Sequence, residues 1–154
     1  ALAPEATLVA QPAGDMGDRL TAALSTGLRG RASAVLIGSD TPHLPSEVID
    51  DAFCALTRAD LVVGPATDGG FYLIGIREAG SVNRLFDGIE WSTSRVFGEL
   101  LENARQLGLT VEVLEEFTDI DDAASLATVL CQAARSRSAP RTRATASRLG
   151  LESR

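Results

Sequence analysis

Three short segments place aspartates where they could do chemistry, and the first contains Asp40. This residue follows a continuous apolar run over 34–38, which is typical of a strand buried on both faces of a parallel sheet. A carboxylate at the end of such a strand costs desolvation free energy, and a hard divalent cation would compensate for that cost. The alternative is that Asp40 caps the helix beginning near residue 46, or stabilises the turn that Pro42 constrains. The residue types alone favour neither.

The second segment carries Asp119 and Asp121. Side chains two positions apart lie on the same side of an extended chain, so the two carboxylates repel each other unless solvent or a cation separates them. The alternative is that these acids cap a helix predicted from residue 123. One aspartate would satisfy that cap, whereas Asp122 brings the number of acids to three in four positions. The acids therefore exceed what a cap needs.

The third segment is Asp68-Gly69-Gly70. Two glycines let the backbone approach a ligand closely and can turn N–H groups towards an anion. The carboxylate of Asp68 could bind a sugar hydroxyl, an amine or a metal-bound water. The alternative is an ordinary tight turn between two strands, for which Asp-Gly is a common signal.

The remaining reactive side chains give weaker signals. His43 could act as a base or hold its loop, but a lone histidine in a polar loop favours an ordinary surface position. Cys54 and Cys131 both fall in predicted helices, which indicates reduced thiols in or near the core rather than a disulfide. The spacing of cysteine and histidine excludes the usual zinc motifs.

Apolar periodicity around these segments predicts the elements that must position them. The predicted strands are 6–11, 34–38, 60–64, 71–76 and 111–114; the predicted helices are 15–29, 46–58, a helix that Ser92 or Thr93 caps and Gly108 ends, and 123–134, with a helical turn at 82–88. Strands that alternate with helices predict an α/β fold with a largely parallel sheet. Ligands of such folds bind beyond the carboxyl ends of the strands, and the polar segments above all follow strands.

Charge divides the 154 residues into two parts. The net charge is −7, but residues 1–134 carry 8 arginines against 20 acids, whereas residues 135–154 carry 6 arginines and one acid. We therefore predict one domain over 1–134 and a disordered tail rich in Arg, Ser and Ala over 135–154. The acidic body argues against nucleic-acid binding. With no long apolar run and no visible signal peptide, a cytoplasmic protein is expected.

Five ordered blocks of the sequence carry a resemblance to a known family. They are Gly14-Asp-Met-Gly-Asp-Arg19, Ile37-Gly-Ser-Asp-Thr-Pro-His-Leu44, Gly64-Pro-Ala-Thr-Asp-Gly-Gly-Phe-Tyr-Leu-Ile-Gly75, Trp91-Ser-Thr93 and Asp119-Ile-Asp121. Together they resemble the bacterial GT-A-type glycosyltransferase-like family that is often labelled radical-SAM/selenodomain-associated. That family is similar in turn to 2-phospholactate guanylyltransferase and molybdenum cofactor guanylyltransferase. The resemblance covers roughly residues 6–130.

The resemblance implies a Rossmann-like nucleotide-diphospho-sugar transferase (GT-A) sheet with flanking helices. Relatives begin with a strand, a loop rich in Gly, Pro, Arg and Lys, and a helix, and this chain is expected to lack that N-terminal unit. Ser125 stands where similar sequences carry an acid. An exposed sheet edge left by the missing unit would favour a homodimer.

The resemblance also implies roles for individual residues. Asp40 and Asp68 would be catalytic, and Asp40, Asp119 and Asp121 would hold Mg²⁺ or Mn²⁺ against nucleotide phosphates. The residues implied in substrate binding are Gly14, Asp15, Arg19, Ser39, Thr41, Pro42, Gly69, Gly70, Trp91 and Ser92.

The expected function is a metal-dependent transferase that acts on a nucleotide or nucleotide-sugar and a small-molecule acceptor. Glycosyl transfer is favoured. The alternatives are nucleotidyl transfer to a phosphorylated small molecule, of the guanylyltransferase kind, and a truncated domain without catalysis.

Overall fold

The structure, a computed structural model, describes residues 6–77, 80 and 82–151. These residues contain four strands and six helices. They are α1 (Met16–Gly27), β1 (Ala34–Ile37), α2 (Ser46–Ala55), β2 (Leu61–Pro65), β3 (Phe71–Ile76), α3 (Val82–Leu85), α4 (Val96–Gln106), β4 (Val111–Val113), α5 (Ala123–Ser136) and α6 (Pro140–Arg148). The α/β fold predicted from apolar periodicity is confirmed.

The described strands form one mixed sheet in the order β1-β3-β2-β4. β4 runs parallel to β2, whereas β3 is antiparallel to both of its neighbours. The predicted largely parallel sheet is therefore wrong for β3, because the short 66–70 loop returns the chain directly beside β2 as a hairpin. β1, β2 and β4 all point the same way, so their carboxyl ends meet at one edge.

Apolar side chains from the sheet pack on two opposite layers of helices. On one face, Leu61 and Ile74 pack with Leu24 of α1, Leu85 of α3 and Leu100 of α4. The other face is smaller, and there α2 packs against β2 and β3; its buried members are Ala52, Ala55, Leu56, Val62, Tyr72 and Leu73. The two central strands are buried along almost their whole length, as strands covered on both faces should be. The core thus fixes β2 and β3, which carry the hairpin loop.

The β1 strand departs from its predicted burial. It lies at the edge of the sheet; Val35 and Leu36 are half-buried, and the side chain of Ile37 is 52% exposed. The predicted strand over 6–11 is also absent from the described residues, where Leu8 and Val9 are exposed and unpaired. Apolar composition indicates strand propensity, but burial and pairing depend on neighbouring strands. Among the described residues, β1 pairs with β3 on one side only, and no strand lies beside residues 6–11.

The C-terminal segment contains a helix where disorder was predicted. α5 extends to Ser136, past the predicted boundary at residue 134, and α6 then packs against α5 with Ala146 buried. Pro140 begins α6 at a position that suits proline, because no helical N–H bond is lost there. α6 itself lacks large apolar side chains, but alanine and arginine favour a helix and buried Ala146 accompanies its packing against α5.

Two further predictions concern exposure. Cys54 and Cys131 are free thiols as predicted, but both are exposed rather than near the core. Among the described residues, no helix has the length and apolar character needed to cross a membrane.

Candidate active site

Three carboxylates from two distant segments meet at the carboxyl edge of the sheet. Asp40 follows β1, and Asp119 and Asp121 follow β4; one carboxylate oxygen from each lies within 4.8 Å of the others. The backbone N–H of Ile120 donates to the carbonyl of Asp40 at 3.0 Å and holds the two segments together. We call Asp40, Asp119 and Asp121 the aspartate trio. Its oxygens are hard ligands of the kind that Mg²⁺ and Mn²⁺ prefer.

Helix capping accounts for the fourth aspartate but not for the trio. Asp122 caps α5, and its Oδ1 accepts hydrogen bonds from the N–H groups of Ala124 and Ser125 at 2.9 and 2.8 Å. The hydroxyl of Ser125 in turn accepts the N–H of Asp121 at 3.0 Å. At α2, the N-cap position belongs to Pro45, with no side-chain bond, so Asp40 does not cap it. The capping alternatives for Asp40, Asp119 and Asp121 are thus removed.

The carboxyl group of Asp119 has a raised pKa within the trio. Burial raises the pKa of Asp119, and the negative charges of Asp68, Asp121 and Asp40 raise that pKa further. The shift means that the folded protein disfavours the ionised form of Asp119. Asp68 therefore lies near enough to act on the trio, although it is not one of its members.

The loop between β2 and β3 is a tight turn that also reaches the site. The carboxylate of Asp68 accepts the N–H of Gly70 at 2.8 Å, and the N–H of Gly69 donates to Ala66 at 3.0 Å. The tight turn expected from Asp68-Gly69-Gly70 is therefore present, and Asp68 and Gly70 also line the cavity described below, whereas ligand binding by this loop stays a prediction.

Gly69 has a role in packing within this loop. Its φ angle is +93°, and a Cβ placed on it would lie 2.3 Å from the carbonyl oxygen of Ser94. Its own carbonyl accepts the N–H of Phe97 at 2.9 Å. Only glycine fits so close an approach in this backbone conformation. The loop is thereby docked against the start of α4, which makes Gly69 a positioning residue.

A cavity of about 570 Å³ opens beside the trio. Seven of the predicted site residues line it, namely Ser39, Asp40, Asp68, Gly70, Trp91, Ser92 and Asp119. The other predicted residues do not line it, namely Gly14, Asp15, Arg19, Thr41, Pro42, Gly69 and Asp121. The structure therefore brings residues of all five blocks of the resemblance to one cavity, although the first block contributes only Met16.

In the block at the start of α1, Asp15 and Asp18 are used to cap that helix. Asp15 caps α1 and accepts the N–H of Asp18 at 2.9 Å, while the carboxylate of Asp18 accepts the N–H of Asp15 at 3.2 Å. Gly14 has φ +127° and lies against Asp18, and Arg19 is exposed. The negative charges of these two carboxylates would repel a phosphate at the start of this helix. From this part of the chain, Gln11, Met16 and Leu20 line the cavity instead.

Trp91 and Ser92 form part of the wall of the cavity. The indole of Trp91 is half-buried, with its centroid 6.1 Å from that of Phe86, and Ser92 has a left-handed backbone with φ +62°. The predicted cap of α4 at Ser92 or Thr93 is wrong, because the N-cap is Arg95. The hydroxyl of Thr93 still accepts the N–H of Arg95 at 3.3 Å, within the turn before the helix.

Behind the trio, two polar side chains are buried. Thr41 and His43 are 6% and 5% exposed, so the predicted surface position of His43 is wrong. Burial lowers the pKa of His43, and an interaction with the Gln132 side chain opposes that shift only in part. The ring lies 5.5 Å from that of Phe117 and outside the cavity lining, which favours a role in holding the loop. The hydroxyl of Thr41 has no hydrogen-bond partner among the described residues.

Tyr72 supports the same region from β3. Its hydroxyl donates to the carbonyl of Glu115 at 2.9 Å, and burial together with the charge of Glu115 raises its pKa to about 12. The ring packs directly against Gly64, where a Cβ would lie 2.3 Å from it. Sequence reasoning did not assign Phe71 or Tyr72 to the site. Their position directly after Gly69-Gly70 was the available signal.

Two comparisons with known proteins fit this geometry. The pattern of a bacterial family described as "Uncharacterized protein conserved in bacteria (DUF2064)" matches residues 1–93. The chain is also similar to the crystal structure of a candidate nucleotide-diphospho-sugar transferase from Desulfovibrio desulfuricans G20, with 33% sequence identity and a TM-score of 0.82. That match covers 92% of this chain but 62% of the Desulfovibrio chain. No curated protein matches by sequence.

Proposed function

The chain belongs to the bacterial protein family DUF2064, and for this member we propose a metal-dependent transferase that acts on a nucleotide or a nucleotide-sugar, in the manner of a glycosyltransferase. The fold is that of a nucleotide-diphospho-sugar transferase, and the similarity to the Desulfovibrio protein supports a transferase reaction. The acidic edge of the sheet is the place where such a fold binds its ligands.

The aspartate trio is the observation that carries the proposal. One oxygen from each lies within 4.8 Å of the others, although the charges of Asp40 and Asp121 help to raise the pKa of Asp119 and none of the three caps a helix. Repulsive carboxylates that converge without a structural reason are typical of a functional site. A divalent cation would convert that repulsion into attraction.

In this proposal, Asp40, Asp119 and Asp121 hold Mg²⁺ or Mn²⁺. Bound there, the cation would neutralise negative charge on the diphosphate of the nucleotide or nucleotide-sugar. The chain itself positions the reactants. The Ile120–Asp40 hydrogen bond fixes the distance between the two acidic segments, and the docking of Gly69 against Ser94 fixes the loop that carries Asp68. Pre-set geometry of this kind lowers the entropic part of the barrier.

Asp68 and the Trp91-Ser92 wall would contact the second substrate. Both line the cavity, and Asp68 keeps one carboxylate oxygen, Oδ2, without a hydrogen-bond partner among the described residues. That oxygen is an acceptor for a hydroxyl or amine donor. The indole of Trp91 offers an apolar face of the kind on which rings stack.

The proposal is tested by titrating the protein with Mn²⁺ and following the free ion by electron paramagnetic resonance. Saturable binding at one site is expected, with the loss of at least tenfold in affinity for Asp40→Asn. The matched control is Asp51→Asn, because Asp51 is an exposed aspartate on α2 away from the cavity. It should bind Mn²⁺ as the unchanged protein does.

A second measurement addresses the nucleotide. Thermal unfolding with UDP-sugars and GDP-sugars should show stabilisation that requires Mn²⁺ and disappears in Asp40→Asn. If the unchanged protein and Asp40→Asn bind Mn²⁺ equally, the metal assignment is wrong. If Mn²⁺ binds but no nucleotide or nucleotide-sugar raises the melting temperature, the transferase proposal fails.

A further inference from the structure

The cavity beside the aspartate trio has charge of one sign only. Asp40, Asp68 and Asp119 line it, whereas its lining within the described part of the chain includes neither arginine nor histidine. The chain contains no lysine at all. A negatively charged second substrate would therefore meet repulsion from these residues, while a positively charged one would meet attraction.

Asp68 lines the cavity but does not belong to the aspartate trio. The mutually close oxygens belong to Asp40, Asp119 and Asp121, and Asp68 lies nearby without joining them. Its Oδ1 is held by the N–H of Gly70 at 2.8 Å, which fixes the direction of the carboxylate. Its Oδ2 has no hydrogen-bond partner among the described residues, and Asp68 lines the cavity.

The remainder of the cavity is largely apolar. Leu36 of β1, Phe71 and Ile74 of β3, and Trp91 line it. Trp91 is half-buried and packs beside Phe86 against the core, which restricts the indole on one side. An aromatic face attracts cations as well as apolar groups. The cavity thus combines one fixed carboxylate with an apolar and aromatic wall.

We propose that the acceptor carries a positively charged amine on a compact apolar body, with the ammonium group on Asp68 and the body against Trp91. The term acceptor rests on the proposed transferase function, but the binding preference itself does not. An ammonium group donates charge-assisted hydrogen bonds to a carboxylate, an alcohol donates only a neutral one, and a carboxylate ligand is repelled.

Cyclohexylamine, cyclohexanol and cyclohexanecarboxylate have the same ring but carry a positive charge, no charge and a negative charge. Their binding therefore compares the three kinds of ligand. Their binding to the full chain is followed by ¹H–¹⁵N NMR titration at low ionic strength, with EDTA present to remove divalent cations. The amine should bind at least about tenfold more tightly than the alcohol, and the carboxylate should not bind measurably. The preference for the amine should fall as salt is added.

Substitutions of single aspartates test which carboxylate binds the ammonium group. Asp68→Asn should bring the amine to the level of the alcohol, whereas Asp51→Asn should keep the full preference. Equal binding of amine and alcohol to the unchanged protein would overturn the proposal. It would also be overturned if Asp68→Asn kept the preference while Asp40→Asn removed it, because the ammonium group would then lie in the trio.

The result is separable from that of the Mn²⁺ titration. A protein that prefers the amine through Asp68 but binds no Mn²⁺ would contradict the proposed transferase and support the inference about the cavity. A protein that binds Mn²⁺ and nucleotide but shows no preference among the three probes would support the proposed transferase and contradict the inference about the cavity.

Discussion

The substitution Asp119→Asn should have opposite effects on stability without and with a divalent cation. Without the cation, the change removes a carboxylate whose pKa is raised by burial and by its acidic neighbours. The folded state is then relieved of repulsion and becomes more stable. With the cation, the same change removes a ligand, so the stabilisation by metal that the unchanged protein gains should be lost.

The gain in stability without a cation can be calculated from the distances between the carboxylates of the trio. Two unit charges at the 4.8 Å limit repel by about 0.9 kcal/mol in a fully aqueous environment. Screening at physiological salt reduces this by about half, so the two neighbours within the trio together contribute about 1 kcal/mol. For a domain of this size, that corresponds to a rise of roughly 2–4 °C in melting temperature. A cation at 100 times its dissociation constant would add about 2.7 kcal/mol to the unchanged protein.

Differential scanning calorimetry in EDTA and in Mn²⁺ measures both effects, with Asp51→Asn as the control for loss of any surface carboxylate. The rise in melting temperature that Asp119→Asn causes in EDTA should also depend on pH. Because the folded pKa of Asp119 lies above 3.8, the repulsion is present at neutral pH and is relieved as pH falls through that folded pKa. The two proteins should therefore converge below about pH 4. A lower melting temperature for Asp119→Asn in EDTA at pH 7 would refute the reasoning from repulsion.

Three further substitutions test the supports of the site. Gly69→Ala should destabilise the fold by about 2 kcal/mol or more in urea unfolding, because φ is +93° and the Cβ meets Ser94; an unchanged midpoint would contradict this. Gly98→Ala, inside α4 and facing open space, should instead stabilise by about 0.5–1 kcal/mol, and a loss of stability would count against the helix assignment. Asp60→Asn should cost about 1 kcal/mol at pH 7 after allowance for solvent screening, since hydrogen bonds from Thr110 hold the pKa of Asp60 at about 2. That difference should vanish in urea titrations as pH falls from about 4 to 2; a difference independent of pH would rule out the carboxylate as its cause.

The elements that the sequence predicted well are those whose apolar pattern is satisfied locally. The stripe along α4 and the apolar runs of β2 and β3 form the core in the structure as expected. β1 has an equally apolar sequence, but it lies at a sheet edge, and edge position is a property of the whole fold. α6 shows the opposite error, because a contact with α5 completes a helix whose composition resembles that of a disordered segment.

Within the candidate site, the sequence predicted that aspartates from distant segments lie close together, but it could not separate the helix cap from the trio. Asp119, Asp121 and Asp122 are chemically alike, and a shift of one residue in the start of α5 would have exchanged the cap and the trio. The burial of His43 was missed because it depends on Phe117 and Gln132, which are distant in sequence. The docking of Gly69 against Ser94 likewise joins two loops that no local pattern relates.

The hydrogen bond from Ile120 to Asp40 joins segments that are 80 residues apart along the chain. Closing so long a loop costs chain entropy and is expected late, after the hairpin of β2 and β3 has formed. The trio is then absent from the transition state for folding. A cation bound there should leave the refolding rate almost unchanged and slow unfolding instead, so the metal would set how long each folded molecule survives.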